Sequence, residues 1–169
     1  SVSSSGGLLS FIKESNKKEN LTNITRMQKI HKESYMFLDN STLQNLELLE
    51  NQKGGNYGTL FSILNVTRTS MGTRLLKNWT VQPLISKEKI EARLNSVDWF
   101  YNNYETRIDL QDLMKQMGDL SRLATRIHYS STANARDLNS IKYSLELINQ
   151  IYEIFEDSEI NAPLIKKYV

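Results

Sequence analysis

Apolar positions in the second half of the chain return every three or four residues, the period of a helix with one buried face. Ile90, Leu94, Val97, Tyr101 and Tyr104 are spaced 4, 3, 4 and 3, behind a serine, Ser86, that suits a helix N-cap. A following segment carries Ile108, Leu113 and Met117 and stops at Gly118-Asp119, where Asp119 can cap the next helix through Leu120, Leu123, Ala124 and Ile127. Residues 130–134 read as a loop. Asn134 then caps the longest predicted helix, and Asp137 at its third position complements the exposed amides. The seam of that helix runs Leu138, Ile141, Leu145, Ile148, Tyr152 and Phe155, at spacings 3, 4, 3, 4 and 3. Such spacing fits packing against a neighbouring helix and equally fits the root of a coiled-coil arm.

The first half is more broken. Residues 5–15 predict a short helix, entered through Gly6-Gly7 and carrying Leu8, Leu9 and Ile12, with a lysine-rich link behind it. Residues 24–30 and 35–38 predict two short strands of poor alternation. Residues 39–41 supply helix-start types for a brief helix with Leu43, Leu46 and Leu49 inward. A Gly-Gly turn lies within residues 53–57. Residues 59–65 then predict a helix with Leu60, Ile63 and Leu64 on one face, and residues 67–70 interrupt it. A second helix covers about 70–79, with Leu75, Leu76 and Trp79 as its apolar side, and Pro83 forbids its continuation. With two prolines and seven glycines in 169 residues, the expected fold is mainly α. It is a multi-helix core with room for a small β element near residues 24–38.

Composition narrows the function classes. Cysteine is absent, which excludes disulfides and thiolate metal sites. A net charge of +2 is too small to argue for a nucleic-acid or membrane surface, although residues 1–34 hold six Lys/Arg against three Glu. No run approaches the roughly 20 apolar residues of a membrane span. The polar start carries no secretory core, so the sequence places the protein in the cytoplasm. Five Asn-x-Ser/Thr triplets, at Asn20, Asn23, Asn40, Asn65 and Asn78, are what sixteen asparagines among many Ser and Thr produce by chance.

Candidate chemistry is sparse. There is no G-x-x-x-x-G-K-[ST], and Gly54, Gly55 and Gly58 miss the G-x-G-x-x-G spacing, so a turn is the plainer reading. His31 and His128 lie far apart, and a structural role outweighs metal or general-base work. Glu47 with Glu50, and Asp109 with Asp112, are one helical turn apart; they could ligate a cation, but more often such pairs are solvated faces. Arg122, Arg126 and Arg136 form the most suggestive basic group, able to meet phosphates or to pair with Asp119 or Glu105. No catalytic, cofactor-binding or metal-binding residue emerges.

An ordered set of short motifs adds what spacing cannot. Tyr35, Met36, Leu38 and Asp39 are followed by Thr42, Asn45, Leu46, Glu47 and Leu48, and then by Thr59, Leu60, Ser62 and Leu64. Next come Thr67, Thr69, Met71, Gly72, Arg74, Leu75, Leu76, Trp79, Pro83 and Leu84, and then Ile90, Arg93 and Val97. Asp119, Leu120, Arg122, Leu123 and Arg126, with Arg136, Asp137 and Leu138, complete the order. The set resembles the core of the MutS family of DNA mismatch repair ATPases over about residues 6–156, and Gly7, Leu8, Leu9, Ile24 and Thr25 resemble the junction with its connector domain. Asn65 departs from the pattern, since many relatives carry Asp there.

The resemblance implies three segments: residues 1–20 as junction helix and link, 21–156 as the core domain, and 157–169 as the start of the lever region or a loosely ordered tail. In the family, the mismatch wedge lies upstream, the DNA clamp downstream and the P-loop ATPase at the C-terminus. None of these is in the sequence, which therefore resembles an excised piece that is not itself an enzyme. The implied role is mechanical: a core coupling DNA-gripping domains to a distant ATPase that uses ATP and magnesium. Implied partners are the remaining domains, double-stranded DNA held by those domains, a second subunit and a MutL-type protein. In such a core, Thr67 and Thr69 would set a kink by capping, Gly72 would permit close helix contact, and Trp79 would anchor the helix end; ordinary core packing explains Leu75, Leu76 and Trp79 as well. The rival reading is a self-contained helical scaffold that binds a protein partner.

Overall fold

The computed structural model describes residues 2–16, 34–129, 133–156 and 158–169. The chain divides at His31/Lys32 into two units. In the first, α1 (Val2–Asn16) is the described element. Gly6 and Gly7 lie inside this helix rather than at its entrance, where each weakens it by about 1 kcal/mol relative to alanine.

The second unit carries the other helices: α2 (Asn40–Asn45), α3 (Leu60–Leu64), α4 (Ser70–Val81), α5 (Lys87–Asn102), α6 (Tyr104–Gln116), α7 (Leu120–Tyr129), α8 (Ala135–Glu156) and α9 (Pro163–Tyr168). The architecture is mainly α. Of the two predicted strands, residues 24–30 lie outside the described residues. Residues 35–38 yield an isolated antiparallel bridge from Tyr35 to Leu84, with the Met36 N–H donating to the Pro83 carbonyl at 2.8 Å. No helix is long and apolar enough to cross a membrane among the described residues.

Side-chain caps set the helix starts, as the sequence predicts for Asp39, Ser86 and Asn134 and as the resemblance implies for Thr69; the cap at Thr59 is an addition. Asp39 accepts from the Thr42 N–H at 2.7 Å, Thr59 from Ser62, Thr69 from Gly72 and Ser86 from Lys89. At α8, Asn134 Oδ1 accepts from the Arg136 and Asp137 N–H groups, and Asp137 Oδ2 accepts in return from the Asn134 N–H at 3.3 Å. This is a reciprocal capping box that satisfies donors the helix leaves unpaired. Helix ends follow equally local causes. At α5, Asn103 leaves helical geometry and its side-chain amide donates to the Trp99 carbonyl at 2.8 Å.

Which faces are buried differs from expectation. Leu46 is exposed and Leu48 is buried instead, because Glu47 turns through a left-handed conformation (φ 47) and redirects the chain. The predicted stripe of Ile90, Leu94, Val97, Tyr101 and Tyr104 is exposed; the break at Asn103 puts Tyr104 on α6, and Trp99 is the buried residue of α5. The covered side of α5 carries Ala92, Ser96, Trp99 and Phe100, so it has no regular apolar period and is chosen by its two aromatic rings. Trp99, Phe155, Ala162 and Ile165 form the core cluster, flanked by Phe100, Leu110, Ile151 and Ile160. Trp99 meets Phe100 edge-on with ring centroids 5.1 Å apart, and its indole N–H donates to the Glu159 carbonyl at 3.0 Å. Phe155, at the end of the α8 seam, is thus covered by the segment that ends in α9.

On α8 the burial runs through Asp137, Ser144, Leu147 and Phe155, while Leu138, Leu145 and Tyr152 of the predicted seam are exposed. Close approach of Gly118 explains the shift. Its N–H donates to Ser144 Oγ at 3.0 Å, and a Cβ there would meet Leu123 Cδ1 at 3.1 Å and Ser144 Oγ at 3.2 Å. A small hydroxyl residue therefore occupies a buried position that a polarity pattern assigns to solvent.

The covered face of α5 has a measurable consequence. Trp99→Ala or Phe155→Ala should lower unfolding free energy by about 3–5 kcal/mol, the usual cost of emptying a large aromatic site. Val97→Ala, on the open stripe, should change it by no more than about 0.5 kcal/mol. Urea titration followed by circular dichroism checks both; equal losses at Val97 and Trp99 would show that the face assignment is wrong.

Candidate functional site

The helix–break–helix stretch from Thr59 to Val81 is organised by hydroxyl groups. Thr59, fully buried, caps α3 and donates to the Asn56 carbonyl at 2.9 Å. Between the helices, Thr67 Oγ1 donates to Asn65 Oδ1 at 2.7 Å and lies 2.7 Å from Thr73 Oγ1. Asn65 fills this acceptor role with its amide oxygen. Thr69 caps α4, whereas Thr67 braces the break rather than capping.

Gly72 differs from expectation too. A Cβ there would lie 3.0 Å from Thr69 Oγ1 and 3.6 Å from Thr67 Cβ, so the glycine makes room for the two threonines rather than for another helix. Trp79 is 41% exposed, with the Arg93 guanidinium 3.6 Å above its ring. It is a stacking platform for α5, not a core anchor.

The densest polar node joins α4 to the start of α7. Asp119 accepts from Arg74 Nη1 at 2.6 Å and Nη2 at 2.9 Å, from Ser70 Oγ at 3.0 Å and from the Arg122 N–H at 3.3 Å. The Arg74 fork is bidentate, the geometry in which a guanidinium–carboxylate pair is strongest. Donation from Arg74, then from Ser70 and the Arg122 N–H, holds the Asp119 carboxyl far below the ordinary carboxylate range, against an opposing desolvation. The Arg74 guanidinium is correspondingly raised, first by its hydrogen bond to Asp119.

The basic group resolves into ion pairs. Arg122 Nε lies 3.5 Å from Asp119, not against Glu105, and Arg126 lies 3.2 Å from the buried Asp137. Arg136 sits at the start of α8 with its N–H bound to Asn134. Among the acid pairs, Glu47 accepts from the Gln52 N–H at 2.9 Å and Asp112 pairs with Lys115. Asp109 and Asp112 line an open groove with Gln150 and Glu153. No group of three or more His, Cys, Asp or Glu that could hold a metal occurs among the described residues. His31 lies outside those residues, and His128 is on the exposed side of α7 with an interaction of its own.

The glycines at 54, 55 and 58 shape a turn around Asn51. Its Oδ1 accepts from the Lys53 and Gly55 N–H groups and its amide donates to the Tyr57 carbonyl. Gly54 and Gly58 adopt positive φ of 84° and 77°, which only glycine takes without strain.

The pairing of Arg74 with Asp119 and the burial of Ser144 are not legible from spacing, because both depend on helices far apart in sequence. The first has a consequence for pH. A carboxylate whose folded pKa is depressed contributes stability above its unfolded pKa, near 3.8, and loses it as pH falls toward the folded value. Asp119→Asn should therefore lower the thermal midpoint by a constant amount between neutral pH and about pH 5, with the difference from the parent chain shrinking below about pH 4. Thermal scans of both proteins across this range check it; a difference independent of pH down to acid unfolding would exclude the ionic contribution.

Comparison with known proteins assigns this arrangement. Residues 41–167 match the profile of MutS domain III. The DNA mismatch repair protein MutS of Caldanaerobacter subterraneus subsp. tengcongensis is 41% identical over 167 residues, covering 98% of this chain and 19% of that protein. Its counterpart in Rickettsia bellii is 43% identical over 141 residues, 83% of this chain and 16% of that protein, and that of Halothermothrix orenii is 38% identical over 166 residues, 98% and 18%. The chain thus spans less than a fifth of the length of these relatives. With the family profile matched from α2 into α9, the chain belongs to the MutS domain III family.

Proposed function

We propose that the chain is the structural core of a longer mismatch repair protein of the MutS type, coupling DNA-gripping domains to a distant ATPase without chemistry of its own. The observation that carries this reading is the fate of the motif residues. Asp119, Arg74, Arg126, Asp137, Thr59 and Thr69 act as caps and interhelical ion pairs, and the motif set is spent on fixing geometry. Coupling is an energetic link between two sites, and a domain that transmits it needs elements held in defined relation.

In this proposal residues 1–20 form the junction with a connector domain, residues 21–156 the core, and residues 157–169 the approach to the lever, with α9 held against the core through Ile165. ATP and magnesium belong to the ATPase domain, and double-stranded DNA to the gripping domains. A second subunit and a MutL-type protein are the expected partners of the whole, which acts in the cytoplasm. The scaffold alternative accounts for the helices but not for the ordered match to a mismatch repair family.

The chain alone should not bind ATP. Calorimetric titration with ATP and magnesium should give no binding isotherm, and a one-to-one isotherm of micromolar affinity would overturn the assignment. Its DNA binding should be weak, equal for a G·T duplex and its matched control, and steeply lost with salt, as phosphate contacts are. A gel-shift preference for the mismatch at physiological salt would count against the reading. Coupling itself is tested in the longer protein. Arg74→Gln should leave basal ATP hydrolysis and nucleotide-free DNA binding in place while weakening the dependence of each on the other; full retention of that dependence would remove the core's proposed role.

A further inference from the structure

The helices of the second unit fall into two packed sets. α3 packs closely on α4, while α5, α6, α7, α8 and α9 pack among themselves, and among the described residues no comparably close helix packing joins α4 to the larger set. Neither α3 nor α4 contains a buried residue, whereas Trp99, Leu123, Leu147, Phe155 and Ile165 all lie in the larger set. The two sets therefore share no fully buried apolar residue among the described residues. Polar and stacking contacts join them at the two ends of α4.

At the C-terminal end, Trp79 stacks under Arg93 of α5, and the chain passes through the non-helical Gln82 and Pro83, whose carbonyl is held by the Met36 N–H. At the N-terminal end, Ser70 and Arg74 both bind Asp119. Ser70 and Trp79 are about 14 Å apart along the helix at 1.5 Å per residue. One end of α4 is thus tied covalently and by stacking; at the other, the polar ties among the described residues are the Asp119 carboxylate and a weaker contact, Arg68 to Gln111 at 3.3 Å.

We propose that α3 and α4 form a hinged arm, with Trp79 and Pro83 as its pivot and Asp119 as the latch that holds its free end against α7. The arm is braced internally by the Thr59 and Thr69 caps, by Thr67 against Asn65 and Thr73, and by the fitted Gly72, so it moves as one body. The larger set is rigid for a different reason: interlocked aromatic rings and the close contact of Gly118 with Ser144. Hinge motion needs two stiff bodies, a short segment that absorbs the backbone change, and a contact with two arrangements. Here the two braced sets and the Gln82–Pro83 segment meet the first two requirements, and the Arg74–Asp119 pair is the contact to which the proposal gives the second arrangement. An ion pair suits a latch better than an apolar contact, because a separated guanidinium and carboxylate regain hydration on opening, whereas a separated apolar seam does not. The inference goes beyond the repair assignment, since it concerns motion within this chain and holds or fails whatever the longer protein does.

The chain has no cysteine, so two can be introduced without background. Ile63→Cys on α3 and Asn149→Cys on α8 are exposed sites, one in each set, and Glu105→Cys with Asn149→Cys is a control pair inside the larger set. Spin labels on each pair report a distance distribution. The expected result is a narrow distribution for both pairs in the parent chain. Asp119→Asn, and separately Arg74→Gln, should broaden or lengthen the 63–149 distribution and leave 105–149 unchanged. An unchanged 63–149 distribution in both variants would mean that other contacts hold the arm, and simultaneous broadening of both pairs would mean that Asp119 supports the whole fold rather than a joint; either result overturns the hinge.

Discussion

Asp119 is the group on which the arrangement of the second unit turns. It stands where α6 has ended and α7 begins, and it is asked to do two things at once. Its Oδ1 accepts the Arg122 N–H, as a helix cap does, while both oxygens accept the Arg74 fork from a helix 45 residues earlier in the chain. A neutral cap such as Ser or Asn could do the first task. Only a carboxylate can do the second with bidentate geometry. The acidic residue is therefore fixed by tertiary pairing, although its position looks like a local capping choice.

A second constraint works beside it. Gly118, the preceding residue, brings its backbone onto α8 so closely that a Cβ would crowd Leu123 and Ser144. The two adjacent residues thus dock the turn in two directions, Gly118 onto α8 and Asp119 onto α4. The dipeptide that reads in the sequence as a helix stop is also a junction among three helices. Around it the chain spends polar side chains on geometry: Arg126 on Asp137, Asn134 and Asp137 on each other, Thr67 on Asn65. This explains how a MutS domain III can keep a long ordered motif set while presenting no metal cluster among its described residues.

Apolar surface tells a complementary story. The large side chains of α5 on the side of Leu94, Val97 and Tyr101 are exposed, as are Ile63 and Val66 near α3. In a chain that spans less than a fifth of its relatives' length, the covered aromatic cluster at Trp99 and Phe155 supplies one core, and the remaining apolar stripes lie open.

Local chemistry was legible in the sequence. The caps at Asp39, Ser86 and Asn134 and the stop before Pro83 rest on contacts within a few residues, which composition and spacing encode directly, and the resemblance added the cap at Thr69. The sequence did not reveal which side of α5 would be covered, because the regular apolar stripe lies on the open side and the covered side is defined by the return of α9 and its preceding segment onto Trp99. Nor did it reveal that Ser144 rather than Leu145 lies inward, since a buried hydroxyl is favourable only where a backbone N–H such as that of Gly118 comes close enough to bind it. The partner of Asp119 was hidden for the same reason. Pairings between helices depend on how the chain closes in space, and that closure is set by packing and hydrogen bonds summed over the whole unit rather than by any one stretch of residues.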